Sequence, residues 1–145
     1  MIKLKKITHP ILPLIEKLKE ALSLDKDVIT VYLFGSYAEG KIHALSDVDI
    51  GILLKENVDF FKKRMQLIEI ISKVLLTDEV DLIILNEAPS SLCFEIFNKG
   101  KIILNKDENV RVEFLLRNVK KYIDTAFLRK LSEEMLIKKI KNYAP

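Results

Sequence analysis

The feature of the sequence that most constrains the fold is an apolar run that carries two aspartates, Asp47 and Asp49, at its beginning. The run, DVDIGILL over 47–54, otherwise has the aliphatic and β-branched residues that are typical of a buried strand. Burial of a carboxylate without a partner is costly, and a second carboxylate beside it adds like-charge repulsion. The pattern therefore predicts that a positive charge lies between the two side chains.

A third carboxylate, Asp81, occupies a similar place in a later apolar run, VDLIIL over 80–85. Side chains of a strand alternate between its faces, so Asp47 and Asp49 are predicted to share one face while apolar residues fill the other. If the two runs form neighbouring strands, all three carboxylates converge on one spot. Such an oxygen-rich spot suits one or two Mg²⁺ ions together with substrate phosphates, which predicts a nucleoside triphosphate as the substrate.

The pair Gly35-Ser36 follows a strand pattern over 28–34 and is the second candidate binding element. A helix that starts at such a turn exposes backbone N–H groups to a phosphate, and the Ser36 hydroxyl can join them. Ser46, directly before Asp47, is interpreted either as a hydrogen-bonding support for the turn or as a contact to the nucleotide.

Helical and strand patterns alternate along the rest of the chain, which predicts a small α/β fold with a short sheet and a C-terminal helical tail. The predicted elements are helices at 10–22, 58–76 and 89–98, a short turn or helix at 36–40, and strands at 28–34, 47–54, 80–85 and 101–104. The apolar face of the helix at 58–76 is predicted to contain Phe61, Met65, Ile68, Ile71 and Leu75.

Length and composition predict one folded domain over 1–145, since 49% of the 145 residues are hydrophobic. The sequence has no apolar run of membrane-spanning length, and its beginning lacks the pattern of a secretory signal, so a cytoplasmic location is expected. With Cys93 as the single cysteine and only two histidines, a zinc cluster of cysteines and histidines is excluded, and any metal must be bound by oxygen.

Basic residues are concentrated in the tail. Residues 1–98 carry 12 Lys and Arg against 15 Asp and Glu, a net charge of −3, whereas 99–145 carry 12 against 6, a net charge of +6. The tail helix from about 108 is predicted to have Val112, Leu115, Val119, Tyr122 and Ala126 on its apolar side, to dock through the last four, and to expose Lys120, Lys121, Arg129 and Lys130. A solvated helix face, an acidic partner and nucleic acid remain alternatives, but no nucleic-acid-binding motif is present, so direct nucleic-acid binding is not expected.

Three features together carry a resemblance to a known family: Gly35-Ser36, then Ser46-Asp47-Val48-Asp49-Ile50 ten residues after Ser36, and Asp81 on a later strand. This arrangement resembles the signature of the nucleotidyltransferase superfamily related to DNA polymerase β, whose shortest members are the minimal nucleotidyltransferases. The segment 80–130, from VDLIIL to FLRK, is similar to the C-terminal half of the MntA-type antitoxins that accompany HEPN ribonuclease toxins. The resemblance covers roughly 20–130.

The resemblance implies a fold, a reaction and a set of site residues. The fold is a small mixed sheet flanked by helices, with a core at about 20–105 and a helical tail at about 108–143. Asp47, Asp49 and Asp81 would be the catalytic carboxylates that bind Mg²⁺, and Gly35, Ser36 and Ser46 would contact the nucleotide. The activity implied is that of an antitoxin that transfers AMP from ATP to a tyrosine of a HEPN toxin and releases pyrophosphate.

Two other functions stay open from the sequence. One is a nucleotidyltransferase with a small-molecule or RNA acceptor, because the catalytic signature is shared across the superfamily. The other is a non-catalytic antitoxin that binds and blocks its toxin. The short chain argues against the first, and the retention of three costly carboxylates argues against the second.

Overall fold

The protein is described by a computed structural model, which covers residues 7, 9–43 and 46–143. The helices are a 3-10 turn at Leu12–Leu14, α1 (Ile15–Ser23), α2 (Ser36–Glu39), α3 (Phe60–Leu75), α4 (Ser90–Lys99) and α5 (Glu108–Tyr143). The strands are β1 (Val28–Phe34), β2 (Val48–Leu54), β3 (Val80–Ile84) and β4 (Lys101–Asn105). The predicted elements are confirmed with small shifts of their ends, and the first helix begins as the 3-10 turn.

The four strands form one mixed sheet in the order β3-β2-β1-β4. β1 pairs antiparallel with both β2 and β4, whereas β2 and β3 pair parallel through the crossover helix α3. β3 and β4 are therefore the edge strands. The predicted α/β fold with a short mixed sheet is confirmed.

Helices cover both faces of the sheet. On the first face, Leu18 and Leu22 of α1 and Leu67 and Ile71 of α3 are buried in one cluster with the apolar side of β2. On the second face, Cys93 and Ile96 of α4 pack with Tyr32 and Leu53, and the beginning of α5 adds Val110 and Phe114. The sheet is thus a central layer between two helical layers, which leaves the ends of its strands as the accessible positions.

The apolar face predicted for α3 is partly wrong. Phe61 is 75% exposed and Met65 is 55% exposed, whereas Leu67, Ile71 and Leu75 are fully buried. α3 carries apolar residues on more than one side, so helical periodicity alone does not select the side that meets the sheet. The contact with α1 and β3 makes that selection.

The first part of the tail helix α5 docks on α4 as predicted, except that Val112 is 36% exposed, and the residues from 127 to 143 are exposed. Leu115, Val119, Tyr122 and Ala126 are partly buried, and the Tyr122 ring stacks on Phe94 with 4.6 Å between the ring centroids. The four predicted surface cations, Lys120, Lys121, Arg129 and Lys130, are exposed. Among the described residues, no helix combines the length and the apolar character that a membrane crossing requires.

Candidate active site

Two of the predicted carboxylates lie side by side on neighbouring strands. In the parallel pairing of β2 with β3, Asp49 is the register partner of Asp81, and on the other side of β2 Asp49 is opposite Phe34. Residues paired in this way point to the same face of the sheet, so the two carboxylates share one face at one end of the strands. Asp49 is partly buried and Asp81 is exposed. Asp47 is also partly buried and lies one residue before β2.

The alternation of β2 explains this position. Val48, Ile50 and Ile52 are fully buried against α1 and α3, so the intervening residues face the opposite helical layer. There α4 covers Gly51 so closely that an added Cβ would lie 3.5 Å from the side chain of Ile96. Asp49 is two residues nearer the strand end than Gly51, at the rim of this layer.

The Gly35-Ser36 turn is in direct contact with the Asp49 side chain. Gly35 has φ 68° and ψ −151°, a backbone conformation that is almost restricted to glycine. A Cβ at this position would lie 2.1 Å from Asp49 Oδ2, so any side chain here would require the carboxylate or the turn to shift. Ser36 is the first residue of α2. The structure therefore brings the predicted phosphate-binding turn and the predicted carboxylates together at the end of β1.

Ser46 supports the turn that leads into β2. Its hydroxyl oxygen accepts a hydrogen bond from the His43 N–H at 2.9 Å, and its own N–H donates to the His43 carbonyl at 3.0 Å. Its side chain is buried, with the residue 5% exposed. These bonds agree with the interpretation of Ser46 as a support, and its contact to a nucleotide stays a prediction.

The donor set at this end of the sheet fits a divalent cation that is completed by substrate. Among residues 7, 9–43 and 46–143, no three His, Cys, Asp or Glu side chains form a metal-binding group on their own. Mg²⁺, however, is commonly bound through one or two carboxylates, with substrate phosphates and water as the other ligands. The register pair Asp49 and Asp81 meets that requirement.

Two lysines lie near this end of the sheet, although the pairing of Lys101 with Leu33 directs its side chain to the face opposite Asp49. In the pairing of β1 with β4, Lys101 is opposite Leu33. Leu33 is two residues before Gly35. Gly100 approaches β1 closely, since an added Cβ would lie 3.3 Å from the Leu33 carbonyl oxygen, and this brings the exposed Lys99 to the same end. Nothing in the sequence distinguishes these lysines from other surface lysines, because the strand order is what places them here.

The candidate carboxylates, of which Asp81 is exposed and Asp47 and Asp49 are partly buried, are separate from two other features that could suggest a site. A cleft of about 380 Å³ at the opposite end of β2 is lined by Leu54, Lys55, Asn86 and Arg117, among others. Cys93 is fully buried on the side of α4 that faces the sheet, and burial raises the pKa of its thiol to about 11. A thiol with that pKa stays protonated at neutral pH and is a poor nucleophile.

Comparison with known proteins agrees with this geometry. Residues 16–109 match the family model described as polymerase beta, nucleotidyltransferase. The protein adenylyltransferase MntA of Shewanella oneidensis is 38% identical over 71 residues, which cover 49% of this chain and 50% of that protein. The chain thus matches about half the length of this curated relative.

Solved structures with the same fold include toxin–antitoxin complexes. A crystal structure of a toxin–antitoxin with AMP-PNP matches with a TM-score of 0.67 and 26% identity, over 86% of this chain and 97% of that chain. A tri-AMPylated Shewanella oneidensis HEPN toxin in complex with its MNT antitoxin matches with a TM-score of 0.66 and 21% identity, over 88% and 99%. Because the second match is 21% identical in sequence, it supports a shared fold alone.

The family model spans more than half of the chain, and it contains the β1 turn, β2 and β3 that carry the candidate site. The protein therefore belongs to the polymerase β nucleotidyltransferase family.

Proposed function

We propose that the protein is a Mg²⁺-dependent protein adenylyltransferase, an antitoxin that transfers AMP from ATP to a tyrosine of a HEPN ribonuclease toxin and so inactivates it. The observation that carries the proposal is the contact of the Gly35-Ser36 turn with Asp49, whose register partner is Asp81. In a member of this nucleotidyltransferase family, these groups would bind a triphosphate and its metal ion. The site and the helical tail would belong to one domain over 1–145.

Each site residue has a proposed role. Asp47, Asp49 and Asp81 would hold Mg²⁺, which when bound neutralises charge on the reacting phosphates. Gly35 and Ser36 would bind the β- and γ-phosphates through backbone N–H groups and the Ser36 hydroxyl. Ser46 would keep the approach to β2 in place through its bonds to His43 and contact the nucleotide from there.

The proposed reaction is nucleotidyl transfer. The tyrosine oxygen of the acceptor forms a bond with the α-phosphorus of ATP, and the bond from that phosphorus to the bridging oxygen breaks, so that pyrophosphate leaves. The tyrosine hydroxyl releases its proton to solvent, and Asp81 is the proposed group that favours this release. The protein contributes mainly orientation and electrostatic stabilisation, because the reaction needs no covalent enzyme intermediate.

The acceptor and the nucleotide are inferred from relatives and from the shape of the site. The relative from Shewanella oneidensis is named a protein adenylyltransferase, and AMP-PNP is present in the toxin–antitoxin structure of the same fold. Asp81 is exposed at the end of the sheet, where a side chain on the surface of another protein can reach it. The proposed use of ATP as the substrate favours a cytoplasmic location.

We expect label from α-labelled ATP, and no label from γ-labelled ATP, to become attached to the HEPN partner. The reason is that attack at the α-phosphorus keeps the α-phosphate on the product and releases the other two. The measurement is gel autoradiography of the purified protein mixed with its HEPN partner, Mg²⁺ and either labelled nucleotide.

Reactions without the partner and with added RNA serve as controls. Transfer of γ label would indicate kinase chemistry, and label on RNA instead of protein would indicate a different acceptor. Inhibition of the toxin without any transfer would indicate an antitoxin that acts by binding alone. Each of these results contradicts the proposed function.

The exposed basic face of α5 is proposed to accelerate association with the toxin. Replacement of Lys120, Lys121, Arg129 and Lys130 with serine is expected to slow modification about tenfold at low salt and low partner concentration. The salt dependence of the rate should become flatter, because exposed charges act mainly through long-range attraction. Stopped-flow binding and initial rates of modification over a salt series measure the effect.

A variant with serine at four exposed lysines elsewhere, Lys17, Lys19, Lys62 and Lys73, matches the change in net charge. It should retain a faster association than the tail variant. ATP binding without the partner should be equal in both. Loss of ATP binding in the tail variant, with normal partner association, would assign the basic face to the nucleotide site and refute the proposal.

A further inference from the structure

The outer edge of β3, next to the candidate metal ligand Asp81, is bound by an arginine from the crossover helix. Arg64 of α3 is partly buried, and its guanidinium donates a hydrogen bond from Nη1 to the backbone carbonyl of Leu82. Leu82 directly follows Asp81 in the chain. Sequence patterns gave no reason to single out Arg64 among the charged residues of α3.

The backbone pairing shows that this carbonyl lies on the free edge of the sheet. The Val48 N–H donates to the Glu79 carbonyl, and the Leu85 N–H donates to the Ile52 carbonyl. The odd-numbered residues from Glu79 to Leu85 therefore direct their backbone N–H and C=O groups toward β2. Leu82 has an even number, so its carbonyl points outward, away from β2. β3 is an edge strand of five residues with a sheet partner on one side only.

An edge strand is a poor support for a metal ligand unless its free side is fixed. The second residue of β3 is Asp81, close to the strand end, where pairing is weakest, and its side chain is exposed. The side chains before and after it, Val80 and Leu82, both face the first helical layer, and Leu82 is buried there, with the residue 1% exposed. The bond from Arg64 thus ties the backbone beside Asp81 to α3, which is itself anchored in the core through Leu67 and Ile71.

We propose that Arg64 is a positioning residue for Asp81. Through its bond to the Leu82 carbonyl, Arg64 holds the Asp81 carboxylate at the distance from Asp49 that a shared divalent cation requires. This inference rests on the proposed function of the site. Binding sites need their ligands within a fraction of an ångström of the productive geometry, and groups that orient ligands commonly affect affinity or activity by about tenfold or more. Arg64 acts through the backbone and does not itself contact the substrate.

The test compares Arg64→Gln, Arg64→Lys and Lys73→Gln. Lys73 is an exposed residue of the same helix, and its salt bridge in the described part of the chain is to the exposed Glu69. Its replacement is therefore the matched control. In the absence of partner and nucleotide, hydrogen exchange of the amides of 80–84 should be faster in Arg64→Gln than in the control. Mn²⁺ affinity in the presence of AMP-PNP should fall about tenfold, and kcat should fall more than KM for ATP rises.

Arg64→Lys should recover part of the loss, because an ammonium group can donate to the same carbonyl. If Arg64→Gln does not fold, the comparison of Arg64→Lys with Lys73→Gln decides the question with the same measurements. Unchanged exchange and Mn²⁺ affinity would overturn the inference. Faster exchange with unchanged Mn²⁺ affinity would also overturn it, since Arg64 would then only protect the strand edge.

Asp81→Asn separates failure of this inference from failure of the proposed function. If Asp81→Asn loses Mn²⁺ affinity while Arg64→Gln keeps it, the inference is wrong and the site assignment stands. If Asp81→Asn retains full affinity and activity, the role of Asp81 is wrong, and the positioning role of Arg64 falls with it.

Discussion

Replacement of Asp49 with asparagine is expected to lower the rate of AMP transfer by about a hundredfold or more, because metal-mediated charge stabilisation is usually a large part of catalysis in phosphoryl and nucleotidyl transfer. Asp49 is in register with Asp81 and touches the Gly35 turn, so its carboxylate is central to the candidate site. Asp47→Asn is expected to have an effect of the same order. Single-turnover transfer of α-labelled AMP to the HEPN partner measures both.

The control for these variants is Asp78→Asn, which changes an exposed aspartate three residues before Asp81. It should leave the rate within about twofold, since a surface charge outside the site has little effect on the reaction. Thermal unfolding should show that all three variants are folded. Full activity of both Asp47→Asn and Asp49→Asn would refute the metal site.

Gly35→Ala is expected to lower the rate of AMP transfer by about a hundredfold, since a displacement of 1 Å at reacting groups can cost that much. The new methyl group would lie 2.1 Å from Asp49 Oδ2, so either the carboxylate or the turn must move. The backbone at φ 68° and ψ −151° also disfavours alanine, which should lower the free energy of unfolding by about 1–3 kcal/mol. Transfer kinetics and denaturant unfolding measure the two effects separately.

Gly40→Ala is the matched control for this variant. Gly40 also has a positive φ, 71°, but an added Cβ there meets no atom within 4 Å. Its replacement should cost about 1–2 kcal/mol of unfolding free energy and leave the rate nearly unchanged when the protein is fully folded. Equal losses of rate in the two variants would show that backbone strain alone, and not contact with Asp49, explains the effect of Gly35→Ala.

The elements of the fold were largely predictable because they depend on local patterns. The β-branched runs at 28–34 and 47–54 specify strands, and the periodic apolar residues of the first helix and of the tail specify helices. The side of α3 that meets the sheet was not predictable, because Phe61 and Met65 extend an apolar surface that competes with the one around Leu67 and Ile71. Only packing against the sheet distinguishes the two surfaces.

The sequence by itself predicts the chemistry of the candidate site. Carboxylates at alternate positions of a strand pattern, a glycine and a serine after the preceding strand, and the absence of a cysteine and histidine cluster indicate an oxygen-bound metal and a phosphate substrate. These inferences depend on residue type and on the period of two along a strand, which are local properties. The family resemblance depends on the same spacing.

The tertiary structure alone decided which of these groups meet. The parallel pairing of β2 with β3 places Asp49 beside Asp81, and the antiparallel pairing of β1 with β2 places Gly35 against Asp49. It also decided that β3 is an edge strand whose outer carbonyl is bound by Arg64. Strand order and register result from the burial of apolar surface by the whole chain, so residues far apart in sequence acquire neighbours that no local pattern specifies.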